Sequence, residues 1–335
     1  MKVLIVNQSE VAQLLPMREC IEAMAEALGA TARGEVVLPL RQVTILPDNL
    51  GALASMPAFA QGLGGIGVKV ITVFPGNHGS AFDSHQGAVL FFDAEHGCLR
   101  AIVDASEVTA IRTAAVSAVA TRLLAREDAG DLAILGSGVQ ARTHLEAMLL
   151  VRTIRRVRVW SPTAEHRDAF ARRESRRLGV EVEPVASAQS TVAGADLICT
   201  VTGARQPVLW GKWLAAGAHV NAVGSSLRTS RELDTDAVVR ARLYVDRRES
   251  ALHEAGDFLI PKAEGAVGDD HILGELGDVL LGTRRGRESP EEITLFKSLG
   301  LAVEDLAAVR LIYEAARARE LGTWVELGGG RHEAD

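Results

Sequence analysis

The sequence has few cysteines and no long apolar run, and both absences exclude whole classes of protein. Its 335 residues include three widely separated cysteines and no C-x-x-C pair, which argues against a disulfide framework or a zinc knuckle. No run approaches the roughly 18 apolar residues of a membrane-spanning helix. The N-terminus MKVLIVNQSE becomes polar too soon for a secretory signal. We expect a cytoplasmic protein of enzyme size, with about two domains.

Several catalytic and binding signatures are also missing. The nine histidines show no H-x-x-x-H or H-E-x-x-H spacing, so no metal site is expected. No G-x-S-x-G elbow is present. The net charge of −7 argues against a general polyanion binder, and the basic segment ARRESRR (171–177) fits the solvated face of a predicted helix. We therefore expect neither nucleic acid nor a membrane as a partner.

The first third of the chain predicts an α+β unit. Residues 9–33 predict a helix that Pro16 interrupts. Short runs rich in Val, Ile and Phe then fill 36–104, beginning with 36–46, and they are separated by Pro, Gly, Asp and Asn. This texture is typical of an antiparallel or mixed sheet. A long Ala-rich helix is predicted next, at 106–126.

The middle of the chain changes to a β-α-β pattern. Strand-like and helix-like stretches alternate in the order 132–135, 139–151, 158–160, 163–178, 180–182, 187–194, 197–200 and 219–223. Such alternation predicts a parallel sheet with helices on both faces. Residues 303–321 predict a final amphipathic helix, and 328–335 predict a frayed tail.

A glycine loop follows the first strand of this alternating region. It reads GSGVQA, residues 136–141, a G-x-G-x-x-A pattern between a predicted strand and a predicted helix. The first glycine permits a tight turn, the second lets the backbone approach a pyrophosphate, and the small last residue allows close helix packing. The pattern alone is weak, but this context favours dinucleotide binding over a chance turn.

The end of the second strand bears on the ribose of such a cofactor. An Asp or Glu there binds the hydroxyls of NAD and repels a 2′-phosphate. This chain has Ser161 and Thr163 after Trp160, with Arg167 close behind and no acid at the strand end. Hydroxyls and an arginine favour NADP(H) over NAD(H). The alternative is that Ser161 and Thr163 only cap the next helix.

Three basic residues stand in apolar stretches of sequence, where a charged side chain is unusual unless it has a function. Arg41 lies in VVLPLRQVTIL, Lys69 in GIGVKVITVF and Arg112 in VTAIRTAAVSA. A small acid substrate needs its carboxylate neutralised, by arginine through paired hydrogen bonds or by lysine as a point charge. A lone cation on a strand normally points to solvent, so that alternative stays open for each residue.

Taken together, these segments resemble one known family. The chain is similar to the ornithine cyclodeaminase/μ-crystallin family over most of its length, and the matching segments are VKVITVFPGN, SHQGAVLFFDAEHGCLRAIVDASEVTAIRTAAVSAVAT, AILGSGVQA, VNAVGSSLRTSRELD, GELGDVLLG and TLFKSLGLAVEDLAA. The resemblance implies a homodimer of two-domain chains. Residues 1–112 with 301–335 would form an α+β domain for substrate binding and dimerisation, and residues 113–300 a doubly wound, Rossmann-type NAD(P)-binding domain.

The resemblance also assigns site residues by position. Arg41, Lys69 and Arg112 resemble the family's ligands for the substrate carboxylate, and Leu299 joins the substrate-binding set. The positions that the resemblance places at the cofactor are Ser84, Arg112, Thr113, Gly136, Gly138, Val139, Gln140, Ser161, Thr163, Arg167, Thr200, Asn221, Val223, Gly224 and Ser298.

Two departures distinguish this chain from the family's cyclodeaminases. Those enzymes carry an Asp two residues after the glycine of VG and tend to carry an acid two residues before Met-Pro. This chain has Ser226 and Ala54 at these places. A serine cannot act as a general base at neutral pH without help. The chain therefore resembles the μ-crystallin and ketimine reductase branch.

This branch implies NAD(P)H-dependent reduction of a cyclic ketimine carboxylate, such as Δ1-pyrroline-2-carboxylate or Δ1-piperideine-2-carboxylate, to proline or pipecolate. Lys69 and Ser226 are the candidate catalytic residues: Ser226 would hydrogen-bond the ring nitrogen or a water, and Lys69 is a candidate proton source. The alternatives are an ornithine cyclodeaminase, an open-chain imino-acid reductase or amino-acid dehydrogenase, and a non-catalytic binder of NADP and a small effector.

Overall fold

The chain forms two compact units in the computed structural model, which describes residues 2–77 and 80–329. The first unit comprises Met1–Arg112 and Leu301–Asp335, and the second comprises Thr113–Gly300. Of the predicted C-terminal tail, residues 330–335 lie outside the described residues.

The strands and helices are numbered in chain order. The strands are β1 Lys2–Val6, β2 Val36–Val37, β3 Gln42–Ile45, β4 Ala52–Ala60, β5 Gly65–Val73, β6 His85–Asp93, β7 Leu99–Asp104, β8 Asp131–Leu135, β9 Arg156–Trp160, β10 Val182–Pro184, β11 Leu197–Thr200, β12 His219–Ala222, β13 Arg242–Val245, β14 Ile272–Glu275, β15 Thr294–Lys297 and β16 Thr323–Glu326. The helices are α1 Gln8–Leu14, α2 Met17–Ala32, α3 Ala105–Leu124, α4 Val139–Val151, α5 Ala164–Leu178, α6 Ala188–Val192, α7 Thr235–Arg240, α8 Arg248–Glu254, α9 Gly256–Ala263, α10 Leu276–Leu280 and α11 Ala302–Arg319.

The first unit is built on a mixed sheet, as its texture predicts. The strand order is β16-β1-β7-β6-β5-β4-β2, with β3 also paired to β4. β1 runs parallel to β7, and the other neighbours are antiparallel. Burial alternates along β4, which shows that one face of the sheet is covered. The covering helices include α11, which packs on β4, β5, β6 and α2.

Local signals explain where the first helices begin and end. Asn7 caps α1: its side chain accepts a hydrogen bond from the Glu10 backbone, while the Glu10 side chain accepts one from the Asn7 backbone. Pro16 then stands between α1 and α2, so the predicted interruption is present. The capping box satisfies backbone donors that the first turn of α1 would otherwise leave without partners.

The second unit contains the predicted doubly wound parallel sheet. Its strand order is β10-β9-β8-β11-β12-β15-β13-β14, and every neighbouring pair is parallel. The chain runs outward from β8 through β9 to β10 and then returns to β11 on the other side of β8. This reversal places a topological switch point at the carboxyl ends of β8 and β11, where open α/β sheets bind ligands.

Two kinds of feature are absent from residues 2–77 and 80–329. No helix in these ranges is long and apolar enough to cross a membrane. No group of three or more His, Cys, Asp or Glu side chains in the same ranges is arranged to hold a metal ion.

Candidate active site

Lys69 lies in the interior of the first unit. It stands on β5 opposite Met56 of β4 and Val89 of β6, and both neighbours are buried. Only 2% of Lys69 is exposed. The alternative that this lysine points to solvent is therefore wrong, because the alternation along β5 puts it on the covered face.

Two carboxylates of α11 hold the buried cations. Lys69 Nζ lies 2.8 Å from Asp305 Oδ2. Arg112 Nη1 lies 2.6 Å from Glu304 Oε2, and Arg112 Nε lies 3.0 Å from Asp305 Oδ1. All four side chains are buried. We call Arg41, Lys69 and Arg112, together with Glu304 and Asp305, the cation cluster.

A glycine on β5 lets α11 reach this position. A Cβ built on Gly67 would lie 2.9 Å from Leu306 Cβ, closer than real Cβ atoms approach one another. The close contact brings Asp305, the neighbour of Leu306, to Lys69. The cluster thus depends on backbone packing as well as on its own charges.

Arg41 is close enough to influence Lys69 electrostatically. Burial lowers the pKa of Lys69 to about 8, and repulsion from Arg112 and Arg41 adds to this effect while the charge of Asp305 opposes it. The three cations named from the sequence therefore come together in one region of the first unit. A buried cation persists only where anionic groups or ligands compensate its desolvation.

Ser84 and His85 stand at the beginning of β6, near the cluster. Ser84 Oγ lies 3.0 Å from His85 Nδ1. Partial desolvation and the positive charge of Lys69 lower the pKa of His85, although its side chain is exposed. The structure places Ser84 in the first unit, immediately before β6, and its predicted contact with the cofactor stays a prediction.

In the second unit, the glycine loop connects β8 to α4. Gly136 has a φ of 129°, and a Cβ there would lie 2.7 Å from the carbonyl oxygen of Val201, so the turn requires glycine. Gly138 is the N-cap of α4, and no atom lies within 4 Å of a Cβ built on it. Val139 is 55% exposed. An open space at a helix N-terminus suits a pyrophosphate.

The turn after β9 has no acid at its tip. Thr163 occupies the N-cap position of α5, and its side chain makes no capping hydrogen bond. Ser161 is buried. Arg167 Nε donates to Asp168 Oδ1 at 2.8 Å, and Nη1 donates to the Val185 carbonyl at 3.2 Å. The guanidinium is thus fixed by its neighbours.

A buried carboxylate that was not predicted connects the ends of β11 and β12. Glu232 Oε2 accepts hydrogen bonds from Thr200 Oγ1 at 2.8 Å and from the Gly224 N–H at 2.7 Å. Oε1 accepts from the N–H and the Oγ1 of Thr202, at 2.7 and 2.6 Å. Thr200 and Gly224 are predicted cofactor positions. In the sequence, Glu232 is one acid in a polar loop, and nothing distinguishes it there from a solvated charge.

A second buried lysine fixes the loop after β12. Lys297 Nζ lies 3.0 Å from Asp257 Oδ2 and donates to the carbonyls of Ala222 at 3.2 Å and Ser225 at 2.6 Å. Asp257 Oδ1 in turn accepts the backbone N–H of Glu232 at 2.8 Å. The loop is therefore held from the interior by charged groups, which suits a preorganised site.

The two serines of this loop face different environments. Ser225 is buried, and its hydroxyl donates to the Ser230 carbonyl at 2.7 Å. Ser226 is exposed, and Val223 before it is partly buried. Ser226 is therefore the hydroxyl that an external ligand can reach.

Asn221 lies within strand β12, not in the loop beyond its carboxyl end. Its Nδ2 donates to Thr121 Oγ1 at 3.0 Å, and its Oδ1 lies 3.2 Å from His219 Nε2. The side chain is fully buried, so the structure gives Asn221 a packing role. Its predicted contact with the cofactor stays a prediction.

The segment after β15 is held by Asp246. Its Oδ2 accepts the backbone N–H of Leu299 at 2.6 Å and of Gly300 at 2.8 Å. The Ser298 N–H donates to the Ala222 carbonyl at 3.0 Å. Ser298 and Leu299 are buried at the carboxyl end of β15. Thr113 in α3 is also buried.

A Rossmann-type unit with an open glycine loop is typical of dinucleotide-dependent oxidoreductases. The chain belongs to the ornithine cyclodeaminase/mu-crystallin family, whose model matches residues 1–320, and the resemblance noted from the sequence is confirmed.

Relatives of known name support this assignment. The chain is 42% identical to the ketimine reductase mu-crystallin of Mus musculus over 84% of this chain and 86% of that protein. The Δ1-pyrroline-2-carboxylate reductase of Thermococcus litoralis, solved with NADH and L-proline, is 37% identical, with a TM-score of 0.94 over 96% of this chain and 99% of that one. An archaeal alanine dehydrogenase dimer with bound NAD is 30% identical, with a TM-score of 0.92 over 98% and 100% of the two chains.

Proposed function

We propose that this protein reduces a cyclic ketimine carboxylate to an L-amino acid with NAD(P)H. The substrate is Δ1-pyrroline-2-carboxylate or Δ1-piperideine-2-carboxylate, and the product is proline or pipecolate. The observation that carries the proposal is the pair of buried cations, Lys69 and Arg112, that share Asp305 inside the first unit, with Arg41 close enough to lower the pKa of Lys69. It occurs in a chain whose Thermococcus litoralis relative was solved with NADH and L-proline.

The cation cluster is proposed to bind the substrate carboxylate. Arginine binds a carboxylate through paired N–H groups and lysine binds it as a point charge. Because Lys69 and Arg112 are already fixed by Asp305 and Glu304, little side-chain entropy is lost when a carboxylate arrives. We assign binding of the substrate carboxylate to the first unit; the substrate contact of Leu299, a residue of the second unit, stays a prediction.

The second unit is proposed to bind the cofactor. The glycine loop fits a pyrophosphate, because Gly138 leaves open space at the N-terminus of α4. Glu232 fixes Thr200 and Gly224 at the strand ends beside the switch point. When bound, the nicotinamide supplies the hydride that the C=N carbon receives.

We propose NADP(H) as the preferred cofactor. The turn after β9 lacks the carboxylate that would repel a 2′-phosphate. The side chain of Thr163 does not cap α5, and it can therefore bind another group. A lower KM for NADH than for NADPH, at equal kcat, would contradict this preference.

Reduction of an imine also requires a proton on the ring nitrogen. With its pKa lowered to about 8, Lys69 remains mostly protonated at neutral pH and releases its proton more readily than an ordinary lysine. Ser226, which is exposed, is proposed to hydrogen-bond the ring nitrogen or a water. Since its hydroxyl cannot replace the Asp that cyclodeaminases carry here, reduction is favoured over ornithine deamination.

The active form is proposed to be a homodimer. Several apolar side chains on and near β3 and β4 of the first unit are exposed, namely Val43, Ile45, Leu50 and Leu53. Val43 and Ile45 lie on the same face of β3. Exposed apolar surface commonly marks an interface, and the archaeal alanine dehydrogenase relative is a dimer. The cytoplasmic location stays a prediction.

Initial rates against a substrate panel test the proposal. NADPH and NADH oxidation is measured with both cyclic ketimines and with pyruvate plus ammonia, and ornithine is incubated with NAD. We expect the cyclic ketimines to react fastest. Proline and ammonia formed from ornithine without net NADH would instead identify a cyclodeaminase. Cofactor oxidation with pyruvate plus ammonia but with neither cyclic ketimine would identify an open-chain enzyme. No oxidation with any substrate would favour a binding protein.

A further inference from the structure

Asp305 contacts both buried cations of the first unit. One carboxylate oxygen lies 2.8 Å from Lys69 Nζ, and the other lies 3.0 Å from Arg112 Nε. The side chain is 1% exposed, so water screens these interactions little. A carboxylate bridging two cations attracts each of them and offsets their mutual repulsion.

Lys69 has few other groups that favour its charge. The charged or ionisable groups around it are Arg41 before β3, His85 of β6, Arg112 of α3, and Glu304 and Asp305 of α11. Its cross-strand neighbours, Met56 of β4 and Val89 of β6, are uncharged. Burial and the two arginines disfavour the ammonium, and Asp305 forms the ion pair that opposes them.

We propose that Asp305 is a positioning residue that fixes the Lys69 side chain and keeps it charged. Its consequence for catalysis rests on the function proposed above. A neutral Lys69 attracts a carboxylate less strongly and has no proton to give to the imine nitrogen. Asp305 would therefore set the highest pH at which the enzyme works well.

Asp305→Asn removes the charge of this side chain while keeping its size. Lys69 then loses its counter-ion in a buried site, and its pKa falls below the value of about 8 that it has in the native protein. Loss of an opposite charge at this distance shifts a pKa by roughly one to three units. Asp305→Glu restores the charge and is the conservative variant. Glu314→Gln is the matched control, because it removes a carboxylate of the same helix from an exposed ion pair with Arg310.

Lysine-selective NMR can measure the ionisation of Lys69 directly. The chain has only five lysines, Lys2, Lys69, Lys212, Lys262 and Lys297, so a ¹³C-lysine spectrum is sparse, and Lys69→Met assigns the signal. We expect the Lys69 signal of the native protein and of Glu314→Gln to titrate near the same pH. In Asp305→Asn it should titrate roughly one to three units lower, and Asp305→Glu should recover most of this shift. An unchanged Lys69 titration in a folded Asp305→Asn variant would overturn the inference.

The pH profile of kcat/KM supplies the kinetic readout. The alkaline limb should move to lower pH in Asp305→Asn by the amount that the NMR shift gives. Ionisation of the substrate contributes equally to the profile of every variant, because all variants are assayed with the same substrate. A shifted NMR titration with an unmoved alkaline limb would overturn the catalytic consequence. If the native protein reduces no ketimine, the proposed function fails, whereas the NMR result still decides the role of Asp305. Should Asp305→Asn not fold, Glu304→Gln provides the second variant, with a smaller shift expected in the same direction because Glu304 contacts Arg112.

Discussion

Glu232 Oε2 lies 2.8 Å from Thr200 Oγ1 in the interior of the second unit, and this contact joins the loop after β12 to the end of β11. The same carboxylate accepts the Gly224 N–H and two donors of Thr202. Four donors to one fully buried carboxylate define the positions of the ends of β11 and β12, beside the switch point. Glu232 therefore shapes the proposed nicotinamide site without being a candidate cofactor ligand itself.

Glu232→Gln should weaken cofactor binding more than substrate binding. The amide presents an NH2 group to donors that need an acceptor, which should lower the free energy of unfolding by about 1–3 kcal/mol. We expect KM for the nicotinamide cofactor to rise at least severalfold while KM for the ketimine changes less. Urea unfolding and both KM values check this. Glu183→Gln, which removes an exposed ion pair with Arg156, is the control. Equal changes in both KM values would mean that Glu232 supports the fold alone.

Gly67→Ala should disturb the cation cluster from a distance. The new Cβ would lie 2.9 Å from Leu306 Cβ, so α11 must move away from β5 and carry Asp305 with it. Overpacking of this kind lowers stability by about 1–3 kcal/mol, and we expect kcat/KM for the ketimine to fall by about tenfold or more. In Gly62→Ala, a Cβ meets no atom within 4 Å, so stability and activity should be nearly unchanged. Normal kcat/KM in Gly67→Ala would show that the approach of α11 is not needed.

Two buried histidines should make the protein acid-sensitive. Burial lowers the pKa of His144 to about 4 and of His219 to about 3, below the roughly 6.5 of an unfolded chain. As the pH falls below about 6.5, the unfolded state takes up protons that the folded state does not. The free energy of unfolding should therefore fall, by about 2 kcal/mol for each histidine at about pH 5.

Urea titrations at pH 7 and pH 5 measure this loss. His144→Gln should reduce the difference between the two pH values, since it removes one group that titrates only in the unfolded state. His96→Gln, in the exposed loop between β6 and β7, is the control for loss of an imidazole at the surface. A native protein equally stable at both pH values would contradict the buried, neutral state of these histidines.

Much of the fold could be predicted from local patterns. Apolar runs in regular alternation with helices predict the parallel sheet, and α4 occupies the predicted range 139–151. Several shorter or more exposed elements, among them β16, were not predicted. β16 has four exposed residues and is defined by pairing with β1, a partner more than 300 residues away in sequence. The run 36–46 forms two strands, β2 and β3, because Pro39 between them cannot donate a backbone hydrogen bond.

The site was less predictable because its contacts are long-range. The apolar surroundings of Lys69 mark it as unusual, but nothing near it in sequence identifies Asp305 as its partner. Glu232 likewise has the neighbours of a solvated acid, and only the folded chain brings Thr200 and Gly224 to it. Patterns of a few residues thus revealed the glycine loop, whereas the charge networks required the tertiary structure.

The central claim is that buried cations of the first unit recognise the carboxylate of a cyclic imine that the enzyme reduces. The most direct test compares kcat/KM for Δ1-pyrroline-2-carboxylate with that for 1-pyrroline, which lacks the carboxylate, in the native protein and in Lys69→Met. We predict that the native protein prefers the carboxylate by about a hundredfold or more and that Lys69→Met loses most of this preference. Equal kcat/KM for the two imines in the native protein would contradict the account.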